Sequence, residues 1–186
     1  MRCLLEQKIL LHCPQTLAGI KTGGLFNAMG MPAECLEEQA ESLNSRLNSR
    51  GVYIKIINSK TEHALVYVYR RSALERDLRQ PESRKILTMY GYPSDTIEDQ
   101  LNCLYSRLSD YTHFPHEIGL FLGYPAEDVR EFIVRRGQGP ALCGCWKAYC
   151  NLEQARCTFE RYKKCTAAYR KFLNEDLDIA ELTAAI

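Results

Sequence analysis

Val52-Tyr53-Ile54-Lys55-Ile56-Ile57, followed by Asn58-Ser59-Lys60-Thr61-Glu62 and then Ala64-Leu65-Val66-Tyr67-Val68-Tyr69, is the clearest β signal in the chain. β-Branched and aromatic residues fill both runs, and the polar segment between them suits a hairpin loop. The stretches on either side have helical spacing instead. Pro32 to Arg50 opens on a proline suited to a helix start, carries Cys35, Leu36, Ala40, Leu43 and Leu47 as its apolar stripe, and closes at Gly51. Leu4 to Leu11 reads as a short, well-buried helix broken at Pro14. Ser72 and Glu75 form a capping box for a helix to about Leu78. Pro81 to Tyr90 is another short helix, stopped by Gly91-Tyr92-Pro93, and Ser94 or Asp95 caps a longer one to Leu108.

Asn151 opens the last long helix, where Ala155, Phe159, Tyr162, Thr166, Tyr169 and Phe172 recur at helical spacing. Asp178 to Ile186 reads as a short helical tail. Residues 144–149, aromatic and cysteine-rich, are the expected third strand beside the hairpin. The pattern predicts one α+β domain over residues 1–186, a small antiparallel sheet covered by about seven helices.

Composition narrows the function classes. The chain has 186 residues, enough for one domain with a real core, and its 25% charged and 46% hydrophobic residues are globular values. A formal net charge of +1 argues against a broad nucleic-acid footprint. No apolar run reaches the roughly 20 residues of a membrane span. Glu6, Gln7 and Lys8 interrupt any signal-peptide core, so a cytoplasmic protein is expected. The nine cysteines are odd in number and match no secreted framework, which predicts reduced thiols, many of them small core residues.

Three stretches carry candidate chemistry. Phe114-Pro115-His116-Glu117-Ile118-Gly119-Leu120-Phe121-Leu122-Gly123-Tyr124-Pro125 holds the one histidine followed directly by a glutamate. Pro115 suits a first helical position, which would put His116 and Glu117 in the first turn, while Gly123 ends that helix and Pro125 starts the next. His116 and Glu117 are candidates for proton transfer, although neighbours on a helix point about 100° apart and form no dyad by themselves. Residue 120 is Leu, so no zinc-protease motif is present. Cys13, beside His12, is a candidate thiol nucleophile.

The second stretch runs from Thr16 through Gly19 and Lys21 to Gly24. It could cradle an anion on backbone N–H groups or form a glycine-punctuated turn against the core. In the third, Trp146, Lys147 and Tyr149 could stack on a ligand and supply charge. Cys143, Cys145, Cys150, Cys157 and Cys165 lack paired metal knuckles; a buried thiol cluster is favoured and no metal ligand is assigned.

His12-Cys13…Thr16-Leu17-Ala18-Gly19-Ile20-Lys21, the Phe114–Pro125 stretch, Gly144-Cys145-Trp146-Lys147-Ala148-Tyr149 and Phe159-Glu160-Arg161-Tyr162-Lys163-Lys164-Cys165 together resemble the bacterial family known as domain of unknown function 3793. The likeness spans nearly the whole chain. It implies a small cytosolic protein of anaerobic bacteria, often encoded near flavodoxins, and no particular reaction or cofactor. Three functions stay open: a small-molecule, anion or cofactor-binding accessory protein linked to redox or metal metabolism; an enzyme using His116 with Glu117 or Cys13; and a non-catalytic protein docking a flavodoxin-like partner. The three stretches are expected to surround one cavity with a small anionic ligand.

Overall fold

Residues Gly23–Asn27 (β1), Val52–Ile57 (β2) and Leu65–Arg70 (β3) form an antiparallel sheet in the order β1-β3-β2. The computed structural model describes residues 2–58, 64–110, 114–173, 175 and 177–185, the side chains of residues 33 and 34 excepted. The hairpin of β2 and β3 forms as its composition dictates; residues 59–63 of its loop lie outside the described residues. The third strand is not residues 144–149 but β1. Two glycines make this segment look like a turn, yet Gly24 lies across from Val68 in the ladder. A Cβ on Gly24 would stand 2.6 Å from the Cys13 sulfur, so glycine lets the strand approach the preceding helices closely.

The described chain divides into two units, residues 1–73 with 162–186 and residues 74–161. In the first, Phe26, Val52, Ile54, Val66 and Val68 share a core with Leu5, Ile9 and Leu10 of Leu4–His12 (α1) and Leu36, Leu43 and Leu47 of Ala33–Leu47 (α3). Burying each of these larger side chains is worth about 1.5–3 kcal/mol. Pro14–Leu17 (α2) is a single turn between α1 and β1. Gly51 ends the segment after α3 in the left-handed conformation, with φ 73°. Asn44 of α3 exchanges two 2.8 Å hydrogen bonds with the backbone of Ile54, covering the exposed edge of β2. The tail expected to be helical forms turns instead, with Ile186 outside the described residues.

Arg71–Leu78 (α4) continues from β3, starting in the first unit and ending in the second, which goes on with Pro81–Met89 (α5), Ile97–Ser109 (α6), Ile118–Phe121 (α7) and Ala126–Val134 (α8). Thr96, rather than Ser94 or Asp95, caps α6. Its hydroxyl accepts the Asp99 N–H at 3.1 Å and donates to the Asp99 carboxylate at 2.7 Å. Leu142–Cys143 (β4) and Lys147–Ala148 (β5) pair in a separate two-stranded ribbon. Leu152–Phe172 (α9) starts in this unit and ends in the first, and Asn151 caps it by accepting the Gln154 N–H. Among the described residues the chain is thus α+β, with nine helices, a small antiparallel sheet and a ribbon. None of those helices is long and apolar enough to cross a membrane.

Candidate functional site

A cavity of about 330 Å³ lies within the second unit, walled by α7, α8 and the ribbon. Phe114, His116, Tyr124, Phe132 and Trp146 line it with five rings, while Ile118, Leu122 and Val129 complete the apolar wall. Lys147, Asp128, Gly119 and Gly144 are the remaining contributors. Small residues are required at two of these places. A Cβ on Gly119 would come within 2.7 Å of Val129, and one on Gly144 within 2.3 Å of the Phe159 ring.

Asp128 fixes the ribbon against α8. It is buried, and its carboxylate accepts the indole N–H of Trp146 at 2.8 Å together with the backbone N–H groups of Tyr149 and Cys150, each at 2.8 Å. Charge-assisted bonds of this kind are roughly twice as strong as neutral ones. The indole then stacks on Tyr124 at 5.3 Å and meets the Phe159 ring edge-on at 4.5 Å. Trp146 is therefore held in place by its own fold. It lies in the bend between β4 and β5, half-buried, rather than on a strand.

His116 is exposed and meets the Phe132 ring edge-on at 5.2 Å. Among the described residues neither ring nitrogen has a hydrogen-bond partner. The expected helix start at Pro115 shifts: Pro115 to Glu117 form a turn, and α7 begins at Ile118. Four helical residues supply little dipole, so His116 gains nothing from a helix terminus. Glu117 is buried and points elsewhere, accepting the Tyr92 hydroxyl at 3.1 Å and facing Arg107 at 3.4 Å. Its neighbourhood drives the Tyr92 phenol strongly upward, first by burial and then through the Glu117 charge. Glu117 lines an adjoining hollow of about 490 Å³, which shares Phe114 and His116 with the first. His116 and Glu117 therefore act on different partners and form no dyad.

Lys147 is exposed, donates to the Gly137 carbonyl at 2.8 Å and lies 5.7 Å over the Phe132 ring. Gly137 has φ 73°, and a Cβ there would sit 3.1 Å from Phe132, so glycine brings this carbonyl to the ammonium. Tyr149 does not line the cavity. Its ring lies beneath Arg135 at 5.2 Å, and its hydroxyl is buried without a partner among the described residues.

Cys13, Thr16, Gly19 and Lys21 belong to the first unit, whereas every residue lining the cavity belongs to the second. Burial pushes the Cys13 thiol up to about 12, against a small opposing effect of Lys21, so it is a core sulfur rather than a thiolate nucleophile. The amides of Thr16, Gly19 and Lys21 donate to Cys13, Thr16 and Gln15 carbonyls. They are therefore not open to cradle an anion. Thr16 and Leu17 instead present their own carbonyls to the buried Arg70 guanidinium, each at 2.6 Å.

None of the nine cysteines is in a disulfide, and only Cys13 is buried; Cys35, Cys143, Cys145 and Cys157 are exposed. The expectation of many core thiols, and of a buried thiol cluster from Cys143 to Cys165, is thereby corrected. Among the described residues no three His, Cys, Asp or Glu side chains could hold a metal.

Sequence reading missed Asp128. Its partners lie 18 to 22 positions downstream. Local spacing carries no sign of such a contact. Tyr124 and Phe132 were missed for the same reason.

No curated protein and no solved structure matches the chain. A family model described as protein of unknown function (DUF3793) matches residues 9–183. That match covers the sheet, the cavity and α9, and the chain belongs to this family.

Proposed function

We propose that residues 74–161 carry a receptor site for a small molecule, bound in the cavity walled by α7, α8 and the ribbon. The observation that supports this reading is the prearranged wall: Asp128 fixes Trp146 against Tyr124 beside an apolar hollow of about 330 Å³. That volume is within the range of small-molecule sites, which are mostly apolar with a few placed polar groups. His116 and Lys147 are those groups here. Among the described residues neither His116 nitrogen has a hydrogen-bond partner, and Lys147 contributes to the same lining.

The test is a thermal-shift screen of small ring-containing fragments against the full chain. Binders should also move the indole N–H resonance of Trp146, which is unambiguous because the chain has one tryptophan. A fragment at about a hundred times its Kd stabilises by about 2.7 kcal/mol. Leu122→Trp, which fills the hollow, should remove both responses. Fragments that bind the variant equally and leave the indole signal unmoved would place binding elsewhere and overturn the reading.

A further inference from the structure

We propose that this cavity selects flat, conjugated acids, with one or two fused rings carrying a carboxylate or a comparable oxyanion. The inference deepens the small-molecule reading and rests on it. The polar groups left open at the cavity, the His116 imidazole and the Lys147 ammonium, both offer donors. His116 offers at least one N–H in either tautomer and two when protonated, and neither nitrogen is engaged among the described residues. Lys147 gives one N–H to Gly137, and two remain. Among the described residues no carboxylate pairs with its ammonium.

Asp128, the carboxylate in the lining, already accepts three hydrogen bonds from the indole and the ribbon backbone. A cationic ligand would therefore meet the Lys147 ammonium and, as acceptor, at most the unprotonated ring nitrogen of a neutral His116, whereas an oxyanion finds donors from two side chains. The body of the ligand follows from the walls. Phe114, Phe132, Tyr124 and Trp146 present ring faces and edges, which pack best against another flat ring in offset or edge-on contact. A flexible chain would lose rotor freedom in the same space. The volume suits roughly ten to fifteen non-hydrogen atoms, at the small end of ligand cavities.

Four probes separate the possibilities by calorimetry on the full chain: 2-naphthoate, 2-naphthalenemethanol, 2-naphthylmethylammonium and decanoate. 2-Naphthoate should bind at least about tenfold more tightly than the other three, in keeping with charge-assisted bonding. Lys147→Gln and His116→Gln, both at exposed positions, should each weaken 2-naphthoate about tenfold and leave the alcohol within about twofold. If the alcohol or the ammonium binds as tightly as the acid, or decanoate binds more tightly, the ligand class is wrong while the small-molecule reading stands. If no naphthyl probe moves the Trp146 indole signal, the small-molecule reading falls and the ligand class with it.

Discussion

The Asp128 carboxylate holds the Trp146 indole N–H at 2.8 Å across 18 residues of sequence, and the same side chain takes two ribbon amides. Ribbon, helix and indole therefore share one buried charge. Asp128→Asn turns one acceptor into a donor facing N–H groups, and should destabilise the protein by about 3 kcal/mol in urea unfolding. Trp146→Phe removes one of the three bonds and leaves the backbone pair, so it should cost about 1–2 kcal/mol. Equal losses in the two variants would mean that the indole, not the backbone pair, carries the anchor.

Arg70 is among the largest fully buried side chains of the described residues, and its guanidinium donates to the carbonyls of Thr16, Leu17 and Ala184. It ties the end of β3 to α2 and to the C-terminal segment, which Arg50 also grips at Thr183. Arg70→Met strips several buried carbonyls at once and should cost about 3–5 kcal/mol. Arg70→Lys should rescue little, because a single ammonium cannot reproduce the planar fork. Hydrogen exchange checks the geometry: the Ala184 amide, bonded to Leu17, should lose protection in Arg70→Met. An unchanged Ala184 amide would show that the tail is held without Arg70.

Burial raises the Cys13 thiol from its ordinary value of 9.0 to about 12. Folding thus favours the protonated form, and between pH 9 and 12 the unfolded chain binds fewer protons than the native one. Stability should be unaffected by this group below pH 9 and should fall as pH rises through that window, by up to about 1.4 kcal/mol per unit. Denaturation midpoints of the wild type and Cys13→Ala measured from pH 8 to 11 test this, with the shallower slope expected in the variant. Parallel slopes would place the alkaline loss on other groups, such as Tyr124 and Tyr169, whose phenols burial also pushes up to about 12.

Much of the fold was legible because its signals are local. The β-branched runs of the hairpin, Pro32 before α3, Gly51 after it and Asn151 at the start of α9 each act within a turn of their own position. β1 was not legible, because Gly23 and Gly24 read as a turn and their strand role depends on the distant Cys13 and Val68. At the site, His116, Trp146 and Lys147 stood out by residue type and do share a cavity. Thr16, Gly19 and Lys21 stood out equally, yet their amides are engaged within their own turn, a fact that depends on carbonyl geometry rather than spacing. Glu117 turned toward Tyr92 and Arg107, residues that no pattern linked to it.

The contact between Gly24 and Cys13 separates a packing role for this thiol from a chemical one. A Cβ on Gly24 would lie 2.6 Å from the Cys13 sulfur but 3.4 Å from its Cβ. Gly24→Ala should therefore overpack the junction of α2 and β1 and cost about 2 kcal/mol. Cys13→Ala alone should cost about 1 kcal/mol through the lost sulfur. With the sulfur gone the added methyl fits in near-normal contact, so the double variant should be no less stable than Cys13→Ala by more than about 0.5 kcal/mol. The coupling, about 1.5 kcal/mol, is read from a double-mutant cycle in urea. Additive losses would show that the glycine serves something other than the approach of Cys13, and the account of β1 as the third strand's close-packed edge would fail with it.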